Sequence, residues 1–506
     1  VTDQDLPDAN VGVAGCDVFV GVAGDQCTLR AAVMEANATP GADTIVLPAN
    51  ETIVLNIAGL ADDSGGARSG DLDITAPVNI IGITPGEPAA NMPQILSSTG
   101  DRIFEIINTE VEITGVALQE GDANGGGGAI RIQNSEVTLN TIAFLNNLAS
   151  NVGGAISISS SPGLTQSNVA ILNSDFFSNT AQNSGSAVYV SNNVTLTIQN
   201  SSFRRIQSDD PEVSAIFVDN SDLLIENTLI DGTPHLIGMG QSSGIVASYP
   251  DSLTIRNSTL ANFTENALRF TGLNANDEVR IYNSILDADG PTCDLQGDLS
   301  SAVIGSSYVS DTSCSAIHDS NVVVGGSLSL GPLEAVANSV VHSRTPAFGS
   351  VAIDAGWPFN AIPSNSDQVC LNTDQRGAPR PLDGDADGTP RCDLGAIEAG
   401  SLSSSTYIVN VFNTDAIDHS PGDNSCDIDP MTPGSQCTLR AAVMEANVKP
   451  GPDTIQFLDN TDGGNTITLT LAGSGGASEG DLDITEQVSI DGIAAFGRPR
   501  TSLLIA

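Results

Sequence analysis

Six short strands in the middle of this 506-residue chain end alike, on an asparagine followed by a small polar residue. They are Val137-Thr-Leu-Asn140, Val169-Ala-Ile-Leu-Asn173, Leu196-Thr-Ile-Gln-Asn200, Leu223-Leu-Ile-Glu-Asn227, Leu253-Thr-Ile-Arg-Asn257 and Val279-Arg-Ile-Tyr-Asn283. The asparagines step by 33, 27, 27, 30 and 26 residues. Apolar residues alternate along each strand, Gly, Asn and Ser break the chain between strands, and no helical period intervenes. A coil of this length predicts an all-β, right-handed parallel β-helix, each inward side chain stacking on its equivalent about 4.8 Å away in the next coil. Asparagine suits a bent backbone, and its amide is expected to bond its neighbours along the stack. An antiparallel sandwich would place turns about every 8 to 12 residues and keep no such period.

A longer repeat lies over the short one. Cys27-Thr-Leu-Arg-Ala-Ala-Val-Met-Glu-Ala-Asn37 returns unchanged 410 residues on, at Cys437 to Asn447. Cys16 answers to Cys426, and Gly70-Asp-Leu-Asp-Ile-Thr75 to Gly480-Asp-Leu-Asp-Ile-Thr485. One whole unit and the opening of a second, a slice of a longer array, are therefore expected: a lead-in over 1–15, a β-helix module over 16–399, a linker and lead-in over 400–425, and the N-terminal part of a second module over 426–506. Within the repeated run Leu29, Ala32, Val33 and Ala36 fall at helical spacing and Pro40-Gly41 stops them. A short amphipathic helix is expected there, capping the open edge of the first coil, because unpaired strand edges invite aggregation.

Formal net charge is −44, and Lys449 is the sole lysine. A chain with so little positive charge has almost nothing with which to neutralise phosphates and its field repels them, so no nucleic-acid partner is expected and anionic membrane surfaces are poor partners. No apolar run approaches the roughly 20 residues that span a bilayer, so any anchor or export signal is expected outside this sequence. The eight cysteines fall as near neighbours, Cys16 with Cys27, Cys293 with Cys314, Cys370 with Cys392 and Cys426 with Cys437. That even count at short spacing predicts local disulfides in an oxidising compartment. A zinc site is disfavoured, since no C-x-x-C occurs and His235, His318, His342 and His419 are scattered.

The Cys27–Asn37 run resembles the C-S-L-R-E-A domain found at the start of many large bacterial extracellular proteins, with Thr28 and Ala31 in place of its Ser and Glu. Asp374-Gln-Arg-Gly-Ala-Pro-Arg-Pro381, followed by Cys392-Asp-Leu-Gly-Ala-Ile-Glu398, resembles the closing motif of the choice-of-anchor β-helix proteins of bacterial surfaces. Together these implicate a secreted β-helical module with a variable anchor and imply no activity. The expectation is a non-catalytic extracellular or cell-surface protein, a fibre, adhesin stalk or matrix component. Its expected partners are further copies end to end or other surface and matrix components.

The competing expectation is a polysaccharide lyase or glycoside hydrolase working in the β-helix groove, since such hydrolases pair carboxylates across the scissile bond. Asp209-Asp210 beside Arg204-Arg205, and Asn372-Thr373-Asp374, are the residues that suggest it. A polygalacturonase would add Gly-His-Gly and Arg-x-Lys elements, which are absent. Gly240-Gln-Ser242-Ser-Gly244 matches a nucleophile elbow but interrupts a β coil, where that motif has no strand-to-helix turn to sit on. Asp383-Gly-Asp385-Ala-Asp387-Gly388 with Asp393 is the strongest metal candidate. Alternate carboxylates with a turn glycine suit calcium, although Leu394 stands where an EF-hand would need Glu.

Overall fold

The computed structural model describes residues 4–491 except 13–15, 20–25, 60–65, 84–88, 207–213, 234–242, 348, 359–362, 364–365, 386–388, 400–404, 423–424, 433, 449–452, 459–466, 474–475 and 485–487. The chain winds as a parallel β-helix. Three long parallel sheets run its length, of ten, nine and eleven strands. One coil supplies one strand to each, as Val188–Ser191, Val194–Gln199 and Ser202–Arg204 do.

Registry turns the sequence repeat into a core. Val137, Val169, Leu196, Leu223, Leu253 and Val279 lie in one continuous row, and Leu139, Ile171, Ile198, Ile225, Ile255 and Ile281 in the next. On the third sheet Phe144, Phe176 and Phe203 stack inside with ring centroids 4.5 and 4.3 Å apart. The β-branched and aromatic residues favoured on a pleated surface therefore meet their own kind rung after rung.

The turn after each strand is a second ladder. Asn173, Asn200, Asn227, Asn257 and Asn283 have φ between 45 and 52°, the left-handed region that asparagine tolerates better than most residues. The next residue in each coil hydrogen-bonds both ways. The hydroxyls of Ser174, Ser201, Thr228, Ser258 and Ser284 donate to the carbonyl two residues back. Each of these same hydroxyls accepts the amide of its equivalent in the preceding coil, at 3.0 to 3.4 Å. The first coil of the series departs by one residue from the expected pattern. Asn140 pairs with Leu172 as the last strand residue, and Thr141 takes the left-handed turn at φ 56°.

Helix α1 (Leu29–Ala38) lies over the first coil, with Thr28 as N-cap accepting the Ala31 amide. Its equivalent α2 (Leu439–Val448) lies in a second, separate apolar cluster with Tyr407, Val409 and Ile455. Residues 406–409, within the stretch expected as linker and lead-in, form a strand of that second cluster because Tyr407 and Val409 alternate inward. Likewise Asp5 and Asp8, expected in a lead-in, are buried against the first cap.

Candidate functional site

The cap is built around a buried cation. Arg30, with no exposed side-chain surface, donates from Nε to Asp5 Oδ1 at 2.5 Å. Its terminal nitrogens donate to the carbonyls of Ala67 at 2.9 Å and Gly70 at 2.8 Å. Asp5 Oδ2 also accepts the amides of Asn56 and Ile57. One ion pair thus ties the N-terminal segment, the helix and two loops of the first coil together. The arrangement recurs at Arg440, Asp415, Ala477 and Gly480, with 2.8 Å between Arg440 Nε and Asp415 Oδ1. Asp415 here accepts the amides of Thr470 and Leu471, four residues later than a constant offset from Asn56 and Ile57 would place them. A longer loop before that point and a shorter one after it leave Gly480 back in step with Gly70.

The other invariant residues of the run act locally. Glu35 accepts the Gly12 amide as Glu445 accepts that of Gly422. Asn37 donates to the Asp73 carbonyl and accepts the Thr75 amide. Thr28 Oγ1 donates to the Leu6 carbonyl and Thr438 Oγ1 to that of Ala416. Disulfides Cys16–Cys27 and Cys426–Cys437 close the two caps, and Cys293–Cys314 and Cys370–Cys392 the rest. Sequence inspection missed Asp5 and Asp415, although Asp5-x-x-Asp8 recurs as Asp415-x-x-Asp418 at the same offset.

The segment with the closing motif lies along the side of the coils. Its backbone meets the turn asparagines: Asn257 Oδ1 accepts the Leu371 amide, Asn227 donates to the Thr373 carbonyl, and Asn283 donates to the Gln368 carbonyl while accepting the Trp357 amide. Stacking of these three amides on one another, as expected from sequence, gives way to this docking, and bonds along the stack hold earlier, as in Asn173 to Asn140 at 2.9 Å. Gln375 reaches the Ser201 carbonyl, the Ala396 amide reaches Thr259 Oγ1, and Arg344 is held by Asp231. Inside the segment Arg380 and Glu398 form a wholly buried pair at 3.0 Å.

The residues expected to ligate calcium separate. Asp383 and Asp385 converge with Asp354, each offering an oxygen within 4.8 Å of the others. Asp354 was not foreseen, and it orders the loop by accepting the Asp385 and Arg391 amides. Burial raises its carboxyl above the ordinary aspartate range. Asp387 lies outside the described residues. Asp393 turns away: it accepts the amides of Asp354 and Ala399, and burial, with the nearby Glu398 charge, pushes its carboxyl up to about 8. A second acidic group, Asp71, Asp73 and Glu105, stands beside Arg102, which bonds Asp71 and Glu105.

The catalytic candidates are held in structural bonds. Arg204 lies on Asp175 in a fork of 2.8 to 3.1 Å and, with Arg205, over the Phe177 ring. Asp374, 1% exposed, accepts the amides of Arg376, Ala378 and Glu398. Asp209, Asp210 and the Gly240–Ser242 part of the elbow-like motif lie outside the described residues. Fold and cap define a disulfide-braced parallel β-helix with a repeated helical cap. Compared with protein-family models, curated proteins and solved structures, the chain matches none.

Proposed function

We propose that this chain is part of a non-catalytic extracellular scaffold, in which tandem β-helical units join into a fibre, adhesin stalk or matrix component. The observation that carries this reading is the cap built twice, with the same ion pair, N-cap and disulfide 410 residues apart (30 to 440). Restarting a solenoid by repeating its cap adds length and surface while leaving each core closed. Four disulfides favour an oxidising compartment. Among the described residues no helix is long and apolar enough to cross a membrane. Partners are further copies end to end or other surface components, and the net charge of −44 disfavours nucleic acid.

The scaffold reading is tested by incubating the chain with acidic and neutral polysaccharides while measuring new reducing or unsaturated ends, alongside electron microscopy of the purified protein. Rods without depolymerisation support it. Turnover of any polysaccharide gives the protein to the lyase or hydrolase class. Calcium belongs to the same proposal, held by Asp354, Asp383 and Asp385 with Asp387 adjacent in sequence, because hard cations gather carboxylate oxygens. Calorimetric titration with calcium is expected to give heats that Asp385→Ala abolishes, and unchanged heats remove the site.

A further inference from the structure

The turn that leads from the nine-stranded sheet to the ten-stranded one carries a column of left-handed residues, and one member departs from the rest. Strand registry aligns Asn108, Asn134, Asn192, Asn220, Tyr249 and Gly272, each directly after the last paired residue of its strand. Their φ angles lie between 46 and 72°. Asparagine and glycine tolerate that region, whereas a residue as bulky as tyrosine is an outlier there. The backbone ladder does not call for it. Asn220 donates its amide to the Ser248 carbonyl and Tyr249 to that of Thr271, bonds that asparagine makes equally well.

The Tyr249 ring lies across the next member of the column. A Cβ on Gly272 would collide with the ring atoms Cδ1, Cε1 and Cζ, so the glycine is the seat on which one face of the ring rests. The opposite face is left to solvent, and Tyr249 is 54% exposed. Among the described aromatic residues only Phe19 is also exposed. An unfavourable backbone and an aromatic surface held in water thus meet at a single residue, and nothing in the local fold requires either. Strain of this kind, kept by a rigid surrounding, marks a place that serves a ligand.

We infer that Tyr249 is a stacking platform for a neutral polysaccharide. Its outward ring face takes the C–H face of a sugar ring, an apolar surface edged by hydroxyl groups. Along the column the exposed amides of Asn220 and Asn192 follow at the strand spacing of about 4.8 Å, offering donors and acceptors to hydroxyls on the same glycan chain. Charge selects against acidic glycans. Asp219 precedes Asn220, Asp251 follows Tyr249 by two residues, and the chain carries −44 overall. A protein partner is disfavoured, because one ring among amides and carboxylates falls short of the roughly 1,000 Å² that a stable interface buries. The inference goes beyond the scaffold reading and does not depend on turnover: Arg204 lies on the eleven-stranded sheet and Asp374 in the closing segment, neither of them on this turn.

The test runs the whole chain in native gels cast with a soluble neutral β-glucan or galactomannan, with polygalacturonate as the acidic control, and reads dissociation constants from retardation against polymer concentration. Retardation by a neutral polymer and none by polygalacturonate is expected. Tyr249→Phe keeps the ring and is expected to keep the retardation. Tyr249→Asn installs the residue that the column carries elsewhere, so it is expected to melt no lower than the parent and yet to bind at least about tenfold more weakly. Absence of retardation by both neutral polymers overturns the platform, as does a preference for polygalacturonate. Parental binding by Tyr249→Asn, a melting temperature below the parent's in that variant, or equal loss in Tyr249→Phe and Tyr249→Asn overturns it too.

Discussion

At the scale of the residue, the cap shows how one side chain organises a fold. Arg30 and Asp5 both have 0% side-chain exposure, so neither charge is compensated by water. Removing one partner of a buried pair strands the other, which is worth about 3–5 kcal/mol. Arg30→Ala is therefore expected to lower the unfolding free energy measured in urea by that amount, and the double substitution Asp5→Leu with Arg30→Met to lose less. Asp393 gives a pH signature. Its carboxyl is raised to about 8 by burial and then by Glu398. Between the unfolded value near 4 and about 8, the native state holds a proton that the unfolded chain has released, so stability falls as pH rises through that window. Asp393→Asn is expected to flatten this slope in unfolding curves taken from pH 4.5 to 8, roughly. Alternating carboxylates were legible in sequence as an acidic loop, but Asp354 joins them from 29 residues before Asp383, a distance that only folding closes.

At the scale of the element, the coils were the most legible part of the chain. Strand alternation and a recurring asparagine give the register once stacking is assumed, and the observed rows follow it. The one-residue slip at Asn140 has a local cause, since that strand runs on to pair with Leu172 and pushes the turn to Thr141. Phe176 lies between Phe144 and Phe203, and Phe176→Ala is expected to cost about 3–5 kcal/mol, read from thermal or denaturant unfolding. Gly395 is the tight point of the docked segment. It has φ 96°, and a Cβ there would stand 2.5 Å from Thr259 Oγ1 and 2.8 Å from Ile285 Cδ1. Gly395→Ala is expected to loosen residues 371–399 from the coils. Limited proteolysis would then cut that segment while the β-sheet circular dichroism stays unchanged, and an unaltered digestion pattern would contradict this.

At the scale of the whole molecule, a net charge of −44 sets the stability against itself, because like charges crowd as the coils stack. Raising sodium chloride from about 0.05 to about 0.5 M shortens the screening length several-fold and is expected to raise the melting temperature. A flat or falling profile would mean that the carboxylates are already compensated within the fold. By itself the sequence determined the solenoid, the helical cap and the tandem restart. Those rest on short-range periodicity, on spacing between like residues and on an exact repeat, all of which survive in a linear string. Only the tertiary structure decided that the closing segment lies along the turns, that Asp393 leaves the acidic loop, and that Tyr407 and Val409 pack beneath the second helix. Each depends on which distant backbone groups come within hydrogen-bonding reach, and that proximity is created by winding the coils.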